Sequence, residues 1–429
     1  MIRLPASIRL NPWQYLVVSF IVLIAAGTLL LKMPWVVHRD GLSWLDALFT
    51  ATSAVCVTGL TTVPTSGFNL WGQLTILLLI QLGALGIMTL TSSFLLAFRG
   101  NLRLRHRLSF SQLSENVNLQ DATYVLRHIL RITLISEGIG VVLLFAGFRM
   151  QGLGAGDAAY QALFHSVSAF CNAGFSPYDQ SLTGAHWLVK LTVALLIIIG
   201  GLGYLVIFEL IHRRQNRRLS LHSRVVLLTT FWLVTGGMFL IYLFEEGRMG
   251  WTDAFFQSVT TRTAGFNTVD LTALSSATIF LFMILMFIGA SPGSTGGGIK
   301  TTNFFIMLYA VLSVLKGKTS VVYRNRSISN RMILKAFGTA ISYFIVLSAG
   351  SLLLMYVEKA PVKTTLFEAI SAMGTVGLSL GLTPQLTVAG KWIIILLMFT
   401  GRLGPASFAM ATMMRRKEVK IRYPEAEIY

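Results

Sequence analysis

The sequence predicts an all-α integral membrane protein in which four parallel membrane–re-entrant loop–membrane repeats surround a pseudo-fourfold central pore. Three observations predict this fold: the composition, a short glycine-ended segment that occurs four times, and a second glycine that follows each segment at a nearly constant distance. Of the 429 residues, 54% are hydrophobic and only 12% are charged, which is typical of a chain embedded in lipid.

The repeated segment follows an aromatic-led helix and precedes an apolar one. Its four copies, here called segments 1 to 4, read SAVCVTG (53–59), SAFCNAG (168–174), VTTRTAG (259–265) and SAMGTVG (371–377). The second glycine of each copy is Gly83, Gly200, Gly289 or Gly401, at offsets of 24, 26, 24 and 24 residues from the segment's last glycine. Random apolar sequence does not keep such a register, so we predict four copies of one structural unit.

Each unit is predicted to contain an outer-pointing helix, a short re-entrant helix, the segment, and an inner-pointing helix. The predicted helices are 15–31, 44–52 and 71–98 in the first copy, 126–148, 158–167 and 187–211 in the second, 225–244, 252–258 and 276–315 in the third, and 333–356, 365–370 and 388–414 in the fourth. The corresponding repeats are 1–107, 108–218, 219–325 and 326–414, followed by a cytoplasmic tail at 415–429.

The re-entrant helices are too short to cross a bilayer. About ten residues at ~1.5 Å each span ~15 Å, half of the ~30 Å hydrocarbon core. A backbone that stops at this depth is tolerated only where it lines a wet cavity. Because each copy crosses twice, all four start on the same side of the membrane, so the repeats are parallel rather than inverted.

The chain has 35 Lys and Arg residues and 17 acidic ones, and 24 of the basic residues cluster at one end of the apolar spans. This distribution follows the positive-inside rule and predicts cytoplasmic N- and C-termini, with lipid rather than nucleic acid as the surrounding partner. Ten acidic residues fall at the opposite, outer ends, where they raise the local cation concentration or simply solvate helix ends. Two cysteines, Cys56 and Cys171, are too few for a disulfide framework or a metal cage.

The segments have the chemistry that an ion needs when it leaves water. Closely spaced backbone carbonyls replace hydration, and glycine allows the carbonyls to point inward because it has no Cβ. The C-terminal ends of the re-entrant helices carry partial negative charge, which favours cations. The residues predicted to offer carbonyls are Val57, Thr58 and Gly59; Asn172, Ala173 and Gly174; Thr263, Ala264 and Gly265; and Thr375, Val376 and Gly377.

The third copy departs from the others at its second glycine. Copies one, two and four read GALG, GGLG and GRLG there, whereas the third reads GASPGSTGGGIK at 289–300, here called the glycine-rich loop. Proline and four further glycines make a continuous helix costly, so the third inner helix is predicted to break below the segments. A phosphate-binding motif is excluded because the lysine arrives one residue late and no strand precedes it. Arg402 lies within the fourth inner helix, where a charge in apolar surroundings indicates a function.

These features resemble the Trk/Ktr/HKT family of potassium transporters, over nearly the whole chain. The phrases TSAVCVTGL, SVTTRTAGFNTVD, SAMGTVGLSLGLTP and GASPGSTGGGIK are most similar to the membrane subunit of bacterial Ktr systems. The resemblance implies a potassium selectivity filter with a glycine in all four segments, and a pore obstructed by the glycine-rich loop. The implied gate comprises Gly289, Ala290, Ser291, Pro292, Gly293, Ser294, Thr295, Gly296, Gly297, Gly298, Lys300 and Arg402.

The resemblance also implies partners and a location. It implies a homodimer in the bacterial cytoplasmic membrane that docks a separate cytoplasmic ring of nucleotide-binding regulatory subunits, so this chain would bind no cofactor of its own. The basic loops and the tail 415–422 are candidate docking surfaces. No segment continues as Gly-Tyr-Gly, so fewer carbonyl rings and less strict selectivity than in tetrameric potassium channels are expected.

Two other classes of function stay open at this point. A sodium- or proton-coupled symporter would need a group whose occupancy switches access, for which Glu137 and Glu209 are the candidates, although pairing with Arg127, Arg131 or Arg213 is the expected role. An intramembrane enzyme would need a nucleophile–base pair or a metal cluster, and the spans contain neither pattern. The chain is therefore predicted not to be an enzyme.

Overall fold

The computed structural model describes residues 12–36, 41–99, 119–212 and 219–404. Five of the described helices are long and apolar enough to cross a membrane: α1 (Pro12–Leu31), α3 (Leu70–Arg99), α4 (Leu119–Met150), α8 (Leu221–Phe244) and α12 (Asn330–Glu358). The shortest of them, α1, has 20 residues, which at ~1.5 Å each gives the ~30 Å of a bilayer core. Five of the eight predicted spans are therefore present as single long helices, with most of their ends a few residues beyond the predicted ones.

Four shorter helices occupy the predicted re-entrant positions. They are α2 (Trp44–Val55), α5 (Ala155–Phe170), α9 (Trp251–Thr260) and α13 (Val362–Gly374). Each ends inside its segment, and its last turn is buried. Asp46, Asp157 and Asp253 lie in the first turns of α2, α5 and α9, where a carboxylate interacts favourably with the helix N-terminus.

The remaining helices are α6 (Trp187–Leu202), α7 (Tyr204–Ile211), α10 (Ser276–Phe287), α11 (Thr301–Leu315) and α14 (Val388–Leu403). The break between α10 and α11 confirms the predicted interruption of the third inner helix. The prediction of one helix over 187–211 was wrong, because α6 and α7 meet at an angle of 102°. Gly203 between them has φ 87° and ψ 148°, a conformation that a helix cannot contain.

Two smaller corrections concern the end of the fourth inner helix and the presence of a short β-hairpin. The fourth inner helix ends at Leu403 rather than continuing, since Gly404 adopts φ 81° and ψ 134°, close to the values at Gly203. The chain is also not entirely α-helical: β1 (Val322–Tyr323) pairs antiparallel with β2 (Arg326–Ser327). Arg324 and Asn325 form their turn with φ of 48° and 59°, the left-handed pair that two-residue hairpins require.

Apolar residues lie on both the inside and the outside of the helix assembly. The largest buried side chains include Phe49, Phe164, Phe256 and Phe367, one from each short helix. Large apolar side chains are exposed along the long helices, for example Val142 at 68% and Leu352 at 68%. Such an exposed apolar belt suits lipid and would be unfavourable in water.

Two ion pairs connect inner helices to the N-terminal turns of the short helices, and one of them joins the last described helix to the first short helix. Lys391 of α14 contacts Asp46 of α2 at 2.6 Å, joining residues 345 positions apart. Lys190 of α6 makes the same kind of contact with Asp253 of α9, also at 2.6 Å. In both pairs the inner helix of one region contacts the short helix of the next. The basic stretches 100–118 and 213–218 and the tail 415–429 lie outside the described residues.

Candidate functional site

The last glycines of the four segments form a closed ring of backbone contacts. A Cβ built on Gly59 would lie 2.5 Å from the carbonyl oxygen of Ala173 in segment 2. The corresponding distances are 2.4 Å from Gly174 to Ala264, 2.2 Å from Gly265 to Val376, and 2.1 Å from Gly377 back to Thr58. Each segment thus touches the next one, and segment 4 touches segment 1. No side chain larger than hydrogen fits at any of the four positions without moving a neighbouring carbonyl.

The segments share one unusual backbone pattern. All four last glycines have positive φ, between 70° and 96°. So do the residues two positions earlier: Val57 (56°), Asn172 (60°), Thr263 (82°) and Thr375 (51°). Positive φ is strained for a non-glycine residue, above all for the β-branched Val57, Thr263 and Thr375, at a cost of about 1–3 kcal/mol each. Strain repeated at four equivalent positions marks a functional backbone rather than an accidental turn.

This backbone leaves its carbonyls free. Segment amides bond back to the short helices, as in Thr58 N to Ser53 O (2.8 Å), Ala173 N to Ser168 O (2.8 Å) and Val376 N to Ser371 O (2.9 Å). In contrast, none of the twelve predicted carbonyls accepts a hydrogen bond from the described part of the chain. Buried carbonyls are nearly always paired in proteins. Carbonyl oxygens without a partner among the described residues are chemically suited to an electropositive ligand.

The second glycines allow inner helices to approach the ends of the short helices. A Cβ on Gly83 would lie 2.0 Å from the carbonyl oxygen of Val55, and Gly200 and Gly401 approach those of Phe170 and Met373 at 2.0 and 1.9 Å. Gly289 is the exception, because it faces Gly297 O of the glycine-rich loop at 2.1 Å instead. In copies one, two and four, the constant spacing between the two glycines thus reflects a packing contact between the inner helix and the short helix. In the third copy the second glycine packs against the glycine-rich loop instead.

The glycine-rich loop lies directly against segments 3 and 4. A Cβ on Gly296 would lie 2.2 Å from Thr263 Oγ1, and one on Gly297 would lie 2.4 Å from Thr375 Oγ1. The loop folds back on itself, with Gly289 N donating to Ile299 O at 2.9 Å and Ala290 N donating to Gly297 O at 3.2 Å. The consecutive glycines are therefore needed where the loop meets the strained threonines of the segments.

The bend between α6 and α7 anchors this loop. Ser291 N donates to Gly201 O (3.0 Å), Thr295 N donates to Gly200 O (3.2 Å), and Tyr204 N donates to Gly293 O (3.0 Å). A Cβ on Gly203 would lie 2.6 Å from Pro292 O. Sequence reasoning missed the role of this bend, although the tandem glycines of GGLG were a usable signal for it.

Two cations of the predicted gate lie beside the loop. Arg402, only 4% exposed, donates Nη1 to Thr295 O and Nη2 to Gly83 O, the latter at 3.3 Å. Lys300 donates Nζ to Gly296 O at 2.7 Å. Among the described residues, neither cation has a carboxylate partner. Two basic side chains therefore donate to carbonyl oxygens of the glycine-rich loop.

The other titratable candidates have ordinary or different partners. Glu137, 6% exposed, accepts from Gln81 Nε2 at 3.4 Å, and Gln81 Oε1 accepts from Cys171 Sγ at 3.2 Å. Glu137 forms no ion pair with Arg127 or Arg131, and Arg213, the third expected partner, lies outside the described residues. Glu209 accepts from the backbone N of Ser220 at 3.0 Å, as a helix-capping group does. No group of three or more potential metal ligands occurs among the described residues.

A family model described as TrkH, cation transport protein, matches residues 9–418. The chain is 35% identical to the Ktr system potassium uptake protein B of Bacillus subtilis, covering 98% of this chain and 97% of that one. It is 37% identical to the protein of the same name from Vibrio alginolyticus (96% and 93% covered). It is 38% identical to the potassium/sodium uptake protein NtpJ of Enterococcus hirae (98% and 97% covered).

A solved structure has the same fold. The potassium transporter TrkH from Vibrio parahaemolyticus superposes with a TM-score of 0.76, over 96% of this chain and 87% of that one, at 18% identity. The family match covers most of the chain, and full-length relatives exceed 30% identity. The predicted resemblance is thereby confirmed, and the chain belongs to the TrkH family of cation transport proteins, which includes the Trk and Ktr potassium transporters.

Proposed function

We propose that this chain takes up potassium across the cytoplasmic membrane through a central pore whose selectivity filter is the ring of segments 1 to 4. The observation that carries the proposal is the closed ring of four glycines with twelve carbonyls free of hydrogen bonds. Four parallel repeats around a pseudo-fourfold axis account for this ring, and for the contact between the last inner helix and the first short helix.

Selectivity follows from the chemistry of the ring. A potassium ion that enters loses its hydration shell, and carbonyl oxygens from four sides replace it. The short helices α2, α5, α9 and α13 all end at the ring, so their partly negative C-termini stabilise a cation there. Transport is passive, inward and driven by the negative membrane potential. The ion binds to the backbone carbonyl oxygens of the twelve segment residues that the sequence predicted for this role.

The glycine-rich loop acts as the gate in this proposal. It lies against Thr263 and Thr375 of the filter and is held by three backbone bonds to the α6–α7 bend. Arg402 and Lys300 add positive charge beside it, which disfavours a cation at that depth. Opening therefore requires displacement of the loop, of the cations, or of both.

Control by a separate cytoplasmic subunit completes the proposal. Homologues named as parts of a Ktr system support a multi-component assembly. We place the termini and the basic stretches on the cytoplasmic side of a bacterial membrane, with a homodimer docking a nucleotide-binding ring. Nucleotide would bind to that ring and not to this chain.

The test is ion flux into vesicles that contain only the purified chain. A potassium diffusion potential, negative inside, should drive uptake of a potassium tracer with no sodium or proton gradient present. Uptake should stop when the potential is collapsed, and sodium should compete weakly. Absence of potential-driven uptake, with and without an added regulatory ring, would refute the proposed pore.

Sodium- or proton-coupled symport is the second candidate. One relative is named a potassium/sodium uptake protein, and Glu137 carries a buried carboxylate oxygen, Oε1, without a partner among the described residues. In that case uptake would require a sodium or proton gradient, and Glu137→Gln would abolish the requirement or the transport. Gradient-independent uptake by the wild-type chain would exclude this candidate.

A further inference from the structure

In segments 2 and 4, a buried titratable side chain of the short helix contacts the serine two residues after the last glycine. The residue nine positions before the last glycine is His165 in segment 2 and Glu368 in segment 4. The residue two positions after that glycine is Ser176 or Ser379. Both titratable groups are fully buried, at 0% exposure, and neither was predicted from the sequence to contribute to the site.

The two serines have the same kinds of hydrogen-bond partner: a backbone amide two residues later and a titratable side chain of the short helix. Ser176 Oγ accepts from Tyr178 N at 3.1 Å and lies 3.0 Å from His165 Nε2. Ser379 Oγ accepts from Gly381 N at 3.0 Å and donates to Glu368 Oε1. In both cases the serine oxygen accepts a hydrogen bond from the backbone amide two residues later. The hydroxyl hydrogen of the serine therefore stays available to the His or Glu.

The histidine's tautomer follows from these contacts. His165 Nδ1 lies 2.8 Å from Gln161 O, which only accepts, so Nδ1 carries the hydrogen. Nε2 is then the acceptor for Ser176. The ring is stacked on Tyr178 at 5.6 Å between centroids, with Phe148 at 5.5 Å. A neutral imidazole is thus held in one orientation by four groups.

Glu368 is held equally firmly. Besides Ser379, its carboxylate accepts from Leu382 N at 3.2 Å and from Thr383 Oγ1 at 2.8 Å. All of these partners lie on the chain that leaves segment 4. The carboxylate therefore ties the chain that leaves segment 4 to α13, as His165 ties the chain that leaves segment 2 to α5.

Segments 1 and 3 have other residues at these two positions and are linked differently: Thr62 Oγ1 donates to Asp46 Oδ1 at 2.7 Å, and Gln257 Nε2 donates to Thr268 Oγ1 at 3.4 Å. The equivalent residues are Thr50 with Thr61, and Phe256 with Asn267. Thr50 Oγ1 and Asn267 Oδ1 are buried without hydrogen-bond partners among the described residues. Segments 2 and 4 are not adjacent in the glycine ring, since each touches only 1 and 3. The link from His or Glu to a serine thus occurs in two non-adjacent segments of the ring.

We propose that His165 and Glu368 are positioning residues for ion discrimination, each fixing the carbonyls of its segment through the adjacent serine. This inference rests on the proposed filter. Loss of either link should let Gly174 or Gly377 shift and admit sodium. Because a single hydrogen bond contributes on the order of 1 kcal/mol, the potassium-over-sodium preference should fall by about three- to ten-fold per link.

The test measures tracer uptake of potassium and sodium by full-length protein in vesicles. Ser176→Ala and Ser379→Ala remove only the hydroxyl and keep the fold, while His165→Phe copies the residue that segment 3 has at this position. Glu368→Leu should lose discrimination, and Glu368→Gln, which keeps an acceptor oxygen for Ser379, should recover most of it. Thr50→Val is the matched control, because its hydroxyl has no partner, and it should leave the preference unchanged.

The outcomes separate this inference from the function on which it rests. If the wild-type chain prefers potassium and the two serine variants keep that preference while folded, the positioning role is refuted and the filter stands. If all variants lose potassium uptake equally but keep the preference for potassium over sodium, the links serve only the stability of the protein. That outcome would also refute the positioning role. A wild-type chain that conducts no potassium refutes the proposed function itself.

Discussion

Gly59→Ser tests the proposed filter most directly. The new Cβ would lie 2.5 Å from Ala173 O, whereas ordinary contact begins at 3.4 Å, so the carbonyl of segment 2 must retreat by about 0.9 Å. The φ of 96° at Gly59 adds backbone strain for any residue with a side chain. The variant therefore displaces one of the ion's carbonyl contacts and leaves the pore open.

The magnitude follows from the loss of one charge-assisted contact. Hydrogen bonds to charged groups contribute about 1.5–3 kcal/mol, so losing an ion–carbonyl contact of similar strength should reduce potassium-over-sodium preference by about ten- to one-hundred-fold. Gly377→Ser, where the distance is 2.1 Å, should reduce it at least as much. The assay is the ratio of potassium to sodium tracer uptake in vesicles.

The control is Gly236→Ala, since a Cβ there meets nothing within 4 Å. It should leave the preference and the uptake rate unchanged. Unaltered discrimination in folded Gly59→Ser protein would refute the assignment of the glycine ring as the filter.

Three further predictions concern the loop and the outer seam. Arg402→Ala should raise flux, because it removes a positive charge and the bonds to Thr295 O and Gly83 O; a flux at or below the wild-type value would contradict its role in gating. Deletion of residues 296–298 should also raise flux, measured in the same vesicles, and reduced conductance by a folded variant would remove the loop as gate. Lys391→Met should lower stability by about 1 kcal/mol, because it leaves Asp46 unpaired at a partly buried site. Thermal unfolding in detergent measures this, with the exposed Lys363→Met as control, and equal melting temperatures would show that the seam contributes nothing.

The general plan of the protein could be predicted from its sequence. Apolar runs of about 20 residues determine spans in any bilayer, because every backbone polar group must be satisfied within a helix. The recurring glycines identified the four segments before any contact was known. Proline and glycine at 289–300 were sufficient to predict the broken third inner helix, since neither supports an α-helix.

Other features could not be predicted because they depend on partners far away in the chain. The bend at Gly203 was missed, since GGLG resembles GALG in α3, which stays helical; what differs is the glycine-rich loop that packs against the bend through Tyr204 N and Gly293 O. The hairpin at 322–327 is too short for a strand pattern to be detected. Likewise, the bracing roles of His165 and Glu368 became visible only when serines eleven residues later were found beside them.

By itself, the sequence predicted four similar units that cross the membrane, each with a glycine-ended segment at mid-depth. Local constraints of hydropathy, helix length and glycine conformation are sufficient for that. Only the tertiary structure decided that the four glycines meet in one closed ring and that a loop from the third unit lies against segments 3 and 4. Those contacts join residues that are distant in the chain, up to 319 positions apart for Gly377 and Thr58, and no local pattern encodes which segment will touch which.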